Sequence, residues 1–352
     1  IKFKPTNMKK LVTILMLIPA LALIIIVASC TKEGPTGPKG EDGTDGTASC
    51  GQCHDSGEDF MAKVTQWEMS VHATGMNYDR NSTSCAPCHT SMGFREIIET
   101  GENSTAESIQ NPTPINCYTC HKIHETYTEE DWVLRYTDPV TYLQGGAIFD
   151  YGESNLCAKC HQSRPTSPFP AMGSGTMEVT EETSYRWGPH HGPQSNLFAG
   201  VGKSGAYELG EKAYENSWHT NNFEEACNIC HMADPPYGDH WGGHTFSMGD
   251  LNTTGCTECH DDAESYAAEK QAEIDVLLTD LKALLETNGI MDTVDHPGYM
   301  VVPDEGEDPI YYDNALAGAF YNYKFIYEDR SHGIHNFKYT KKLLENSIAA
   351  IQ

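Results

Sequence analysis

Six copies of one five-residue pattern constrain this chain more than any other feature of its 352 residues: CGQCH at 50, CAPCH at 85, CYTCH at 117, CAKCH at 157, CNICH at 227 and CTECH at 256. They use Cys50, Cys53, Cys85, Cys88, Cys117, Cys120, Cys157, Cys160, Cys227, Cys230, Cys256 and Cys259, leaving only Cys30 of the thirteen cysteines. In a helical turn, positions i, i+3 and i+4 share one face. Each copy therefore presents two thiols and an imidazole to the same side.

C-x-x-C-H is the attachment pattern of a c-type haem: two thiols bond one porphyrin and the next imidazole reaches its iron. Zinc sites and disulfides also pair cysteines, but neither requires a histidine after every second cysteine. Histidine is 16 of 352 residues, so six such coincidences have a chance probability on the order of one in a hundred million. The pattern predicts six covalent haem c groups. Their proximal iron ligands are His54, His89, His121, His161, His231 and His260.

The opposite axial position of each iron separates electron carriers from enzymes. Ten histidines remain to fill six positions: His72, His124, His190, His191, His219, His240, His244, His296, His332 and His335. Met76, Met92 and Met248 are competing ligands near the same segments.

Several of these histidines sit in segments that resemble multihaem c cytochromes related to pentahaem nitrite reductases, hydroxylamine oxidoreductase and the electron conduits of metal-respiring bacteria. WEMSVHA around His72 and YENSWHT around His219 resemble the family's W-x-x-S-x-H distal motif. CYTCHKIH, GPHHGPQ, GGHTF and EDRSHGIHN are similar to further ligand segments. The resemblance implies distal ligands His72, His124, His191, His219, His244 and His335, with His191 preferred over its neighbour His190. It also implies a mainly α fold with extensive coil, packed around haems and closed by C-terminal helices.

Two functions follow from the resemblance. The first is electron transfer through bis-histidine haems. The alternative is an oxidoreductase acting on small nitrogen or sulfur oxyanions at one open haem. Pentahaem nitrite reductases hold their catalytic haem by a lysine in place of the motif histidine, whereas all six motifs here end in histidine. No catalytic residue is assigned, and electron transfer is favoured. The chain is also similar to hexahaem cell-surface cytochromes that polymerise head to tail, which implies self-association into a filament.

The N-terminus fits export. Lys9 and Lys10 precede an apolar run from Leu11 to Val27 that ends in VASC, the layout of a secretory signal over residues 1–29. Residues 1–7 are read as preceding the true start at Met8. VASC resembles a bacterial lipobox, implying lipidation of Cys30 and an anchor in the outer membrane. Residues 30–49 form a linker with glycine at every third position from 34 to 46. Four triplets are too few for a collagen trimer, so the segment reads as a polar tether. Residues 50–352 are the expected hexahaem domain.

The formal charge is −27, and loss of the four lysines before Cys30 leaves 19 basic against 50 acidic residues, −31. That balance excludes nucleic acid as a partner. Other redox proteins or external electron acceptors are expected, at the cell surface or outside it.

The motifs begin 35, 32, 40, 70 and 29 residues apart, too irregular for a structural repeat. The wide gap from 157 to 227 is expected to form a large loop. Beyond the last motif, Ile274, Leu277, Leu278, Leu281, Leu284 and Leu285 recur at helical spacing, and Asn288-Gly289 supplies a stop. Two further helices are predicted near 311–326 and 336–350.

Overall fold

The computed structural model describes residues 57–210, 213–234, 243–248, 255–257 and 259–352. The predicted signal, Cys30, the linker, the first motif with Cys50, Cys53 and His54, and His240 lie outside the described residues. In chain order the regular elements used below are α1 (Gly57–Met69), α2 (Ser91–Thr100), β1 (Val140–Thr141), β2 (Ile148–Phe149), β3 (Thr176–Val179), α3 (Gln194–Ala199), α4 (Ala263–Thr287), β4 (Ile310–Asp313), α5 (Asn314–Asp329) and α6 (Phe337–Ile351).

The leucine stripe is a core face. Ile274, Leu278, Leu281 and Leu285 of α4 are buried, and Leu277 packs against the same cluster. Asn288 caps the helix and Gly289 follows in the left-handed region at φ +73°, where glycine pays no steric cost. Helix α5 is buried on nearly every side, with Ala317, Phe320, Phe325 and Ile326 in its apolar surface, as expected of a helix surrounded by other elements. Helix α6 adds Tyr339, Leu343 and Leu344. At Gly318 a Cβ would stand 2.1 Å from the Tyr207 ring, so only glycine lets Tyr207 lie flat against α5. The Asn322 amide then bonds both backbone groups of Tyr207, at 2.9 and 2.7 Å.

Two expectations are corrected. The gap from 157 to 227 is not only loop: it supplies β3, which pairs antiparallel with β4 in the register Thr176↔Asp313 to Val179↔Ile310, and α3, whose Leu197 enters the core. The helix expected from 311 begins at Asn314, because residues 310–313 are held extended by that pairing.

Residues 57–234 are built differently. Apart from α1, α2, α3 and β3 they consist of short helical turns, coil and the β1–β2 pair. Their own apolar cluster is small: Val140, Tyr142, Phe149, Ala158, Phe198, Ala199 and Ala226. The fold is thus mainly helical with extensive coil, and the described residues lie in one compact unit, Gln52–Gln352. No helix among them is long and apolar enough to cross a membrane.

Candidate cofactor-binding site

Each of the five described motifs folds as one helical turn. The motif histidine donates its backbone N–H to the carbonyl of the first cysteine in all five: His89 to Cys85 (3.2 Å), and His121 to Cys117, His161 to Cys157, His231 to Cys227 and His260 to Cys256 (2.9 Å each). Both sulfurs and the imidazole of a motif therefore share one face. All ten described motif cysteines are free of disulfides, and no three His, Cys, Asp or Glu side chains converge as a metal cage among the described residues. Burial also pushes the Cys120 and Cys230 thiols up, to about 12 and about 11.

Every described motif histidine faces another histidine. The ring centres are 6.2 Å apart for His161 and His72, 6.4 Å for His89 and His190, 6.3 Å for His121 and His244, 6.1 Å for His260 and His219, and 6.2 Å for His231 and His335. Hydrogen-bonded imidazoles would have centres roughly 5 Å apart. A ring nitrogen lies about 2 Å from a bound metal and the ring centre roughly 1 Å further back, so two rings on opposite sides of one metal stand roughly 6 Å apart. All five pairs have that spacing, and a haem iron fits between them.

The partner histidines are positioned by their own segments. Ser70 N-caps the turn Val71–Thr74 by accepting the Ala73 N–H at 3.3 Å, and Trp67 Nε1 donates to the Ile115 carbonyl at 3.1 Å. This explains both the tryptophan and the serine of the His72 segment. Around His219, Ser217 instead accepts from Lys338 N and donates its own N–H to Asn336 Oδ1. Here the serine ties the ligand segment to the start of α6. His244 rides on the turn Gly243–Thr245, whose backbone docks on Gln66 of α1.

At the histidine pair of GPHHGPQ the structure differs from the sequence expectation. His190, at φ +68°, turns its ring toward His89, while His191 turns to the Glu328 carboxylate at 2.7 Å and is half exposed. Neighbouring residues on such a bend point in opposite directions, and no local signal distinguishes them. His124 is also at positive φ; its ring stacks on Tyr127 and its Nδ1 lies 3.2 Å from the Tyr118 hydroxyl, with no motif histidine facing it among the described residues. Met92 Sδ accepts the Thr113 hydroxyl and Met76 is exposed. Neither takes the place of a histidine in a pair.

Burial holds the His72, His190 and His244 imidazoles down to about 4, helped in each case by a nearby histidine. They are neutral at pH 7, the form that binds a metal. Several Nδ1 atoms are already committed: His121 to the Trp132 carbonyl (2.6 Å), His231 to the Phe246 carbonyl (3.0 Å), His161 to Gln194 Oε1 (3.3 Å) and His335 to Asp329 (2.6 Å). Such bonds fix the tautomer and leave Nε2 for the metal. The Trp132 and Phe246 carbonyls and Gln194 lie 11 to 33 positions from the histidines they hold, and Asp329, though within EDRSHGIHN, carries no mark in sequence of its contact with His335.

The motifs touch one another. Thr119 of the third bonds Ser91, just after the second, at 2.9 Å. Cys160 Sγ approaches the Pro87 carbonyl within the second motif at 3.8 Å. The Ser154 hydroxyl, before the fourth motif, accepts the Cys227 N–H of the fifth at 2.9 Å. A Cβ at Gly255, before the sixth, would meet the Ile229 carbonyl of the fifth at 2.5 Å. Arg95 Nε, Tyr142 Oη and Ser163 Oγ are buried without partners. Each costs about 1–3 kcal/mol unless another polar group meets it.

The fold is similar to the crystal structure of the outer cell wall cytochrome OcwA, with a TM-score of 0.50 and 18% sequence identity over 82% of this chain. The match spans 50% of that cytochrome, so this chain corresponds to about half of its length. No protein-family profile and no curated protein matches the chain.

Proposed function

We propose that this protein is a hexahaem c-type cytochrome that transfers electrons. The observation that carries this reading is the set of five facing histidine pairs, each with one member in a C-x-x-C-H turn. In this reading the described cysteines bond five porphyrins, and the irons lie between His89 and His190, His121 and His244, His161 and His72, His231 and His335, and His260 and His219. Cys50, Cys53 and His54 hold the sixth haem, with His124, which the CYTCHKIH segment offers as a ligand for a neighbouring haem, on its other side. His190 replaces His191 in the ligand set.

The haem supplies a one-electron couple when bound. The two histidines of each pair would hold the iron from either side and deny substrate access to it, and the contacts between motifs would keep successive groups near one another for electron exchange. Arg80 and Arg164 lie close to both His89 and His190 and suit the carboxylates of a porphyrin. Export, lipidation of Cys30, residence at the cell surface or outside it, and head-to-tail self-association complete the proposal. They rest on the N-terminal sequence and the family resemblance.

Low-temperature EPR of the oxidised protein, with haem quantified as its pyridine complex, tests the reading. Six haems per chain, all low-spin, are expected. A stoichiometric high-spin signal would mean an open iron and transfer the reading to the oxidoreductase. Absence of haem would overturn both.

A further inference from the structure

Among the five facing pairs, one is electrostatically unlike the rest. His335 Nδ1 donates to Asp329, and opposite it His231 Nδ1 donates to the Phe246 carbonyl. Among the described residues this is the one pair in which both rings are held by acceptors, and the one in which an acceptor is a carboxylate on a facing histidine.

Asp329 is a costly residue where it stands. Its side chain is fully buried, and it is the last residue of α5, where the negative end of the helix dipole disfavours a second negative charge. No lysine or arginine pairs with it among the described residues. Its other partners are the backbone N–H and hydroxyl of Ser331. A buried charge with so little compensation weakens a fold. It suits a site that must hold positive charge, since a carboxylate on Nδ1 makes the imidazole a more basic ligand and favours the more highly charged oxidised metal.

Building on the proposed haem ligation, we propose that Asp329 is a positioning residue that makes the haem between His231 and His335 the one of lowest reduction potential. The remaining described pairs have neutral oxygens, or no acceptor, on Nδ1. The electron therefore resides least on this haem, which divides the sixth motif from the fourth in the contact order of the motifs. Reduction there adds one electron to the iron without bond exchange, and the fixed carboxylate opposes that electron.

The test uses the full haem-loaded protein in an optical redox titration, with EPR of the oxidised state. Asp329→Asn is expected to raise the lowest midpoint by up to a tenfold change in oxidised-to-reduced preference, about 59 mV for one electron, and to move one low-spin signal. Asp329→Glu is expected to restore it in part. Ser331→Ala removes a competing donor and shifts the same midpoint down. Asp275→Asn, at the exposed partner of His332, serves as the control and leaves all midpoints in place. Unchanged midpoints in a fully loaded Asp329→Asn, or a shift in a step other than the lowest, overturn the proposal. If that variant does not accumulate, unchanged midpoints in Ser331→Ala overturn it. A wild-type protein without haem would instead defeat the ligation reading beneath it.

Discussion

Residues 57–260 and residues 263–352 make their interiors in different ways. The second region packs side chain on side chain: Ile274, Leu281, Leu285, Phe320, Phe325, Tyr339 and Leu343 are fully buried around α5. Apart from the residues it lends to that core, such as Val179, Leu197 and Tyr207, the first has a small apolar cluster around Phe149 and a series of short turns joined by hydrogen bonds such as Ser154 to Cys227 and Thr119 to Ser91. Facing histidines stand apart where an ordinary core would place Leu on Leu. With haems bound as proposed, the first region would owe its order to the groups it holds, whereas the second is ordered by its own side-chain packing.

The largest test removes that support. A chain produced without haem attachment is expected to keep slow amide exchange in α4, α5 and α6 while residues 57–165 exchange freely. Equal protection in both regions would break the comparison. Next in size, Leu281→Ala empties a fully buried site in the second region and is expected to cost about 2–5 kcal/mol in denaturant unfolding. The haem spectrum of the folded variant should remain that of the wild type.

A smaller change sharpens the first region. His190→Ala should convert one haem of the set from low-spin to high-spin, while His191→Ala retains all of them in the low-spin state. The reverse result would return the ligand assignment to His191. Smallest is an acid effect at the surface of the second region. Lys270 and Lys341 hold the Glu273 carboxyl down from 4.5 to about 2. A depressed carboxyl stabilises the fold above its unfolded value and loses that contribution as pH falls through the folded one. The stability difference between wild type and Glu273→Gln should therefore be full above about pH 5 and vanish toward pH 2, and it should shrink with salt because the half-buried cluster is still reached by solvent.

Much of this was legible in the chain. The spacing of two cysteines and a histidine determines which side chains share a helical face, so the five motif turns follow from local geometry, as does α4 from its leucine period and its Asn-Gly stop. Whether one strand lies at 310–313 was not legible, because β4 exists through pairing with β3, more than a hundred residues away in sequence. His190 and His191 have the same chemistry and adjacent positions. Only the positive φ of one and the Glu328 carboxylate beside the other separate them. Asp329 reads in sequence as an ordinary acidic residue at a helix end. Its contact with His335 spans only six positions, but the full burial of its side chain is not visible in the sequence, and that contact gives one described histidine pair a charge the others lack. The sequence by itself thus determined the chemistry available, since motif spacing is local. Tertiary structure decided which histidine meets which, because the paired histidines stand from 41 to 123 positions apart and no local rule spans that distance.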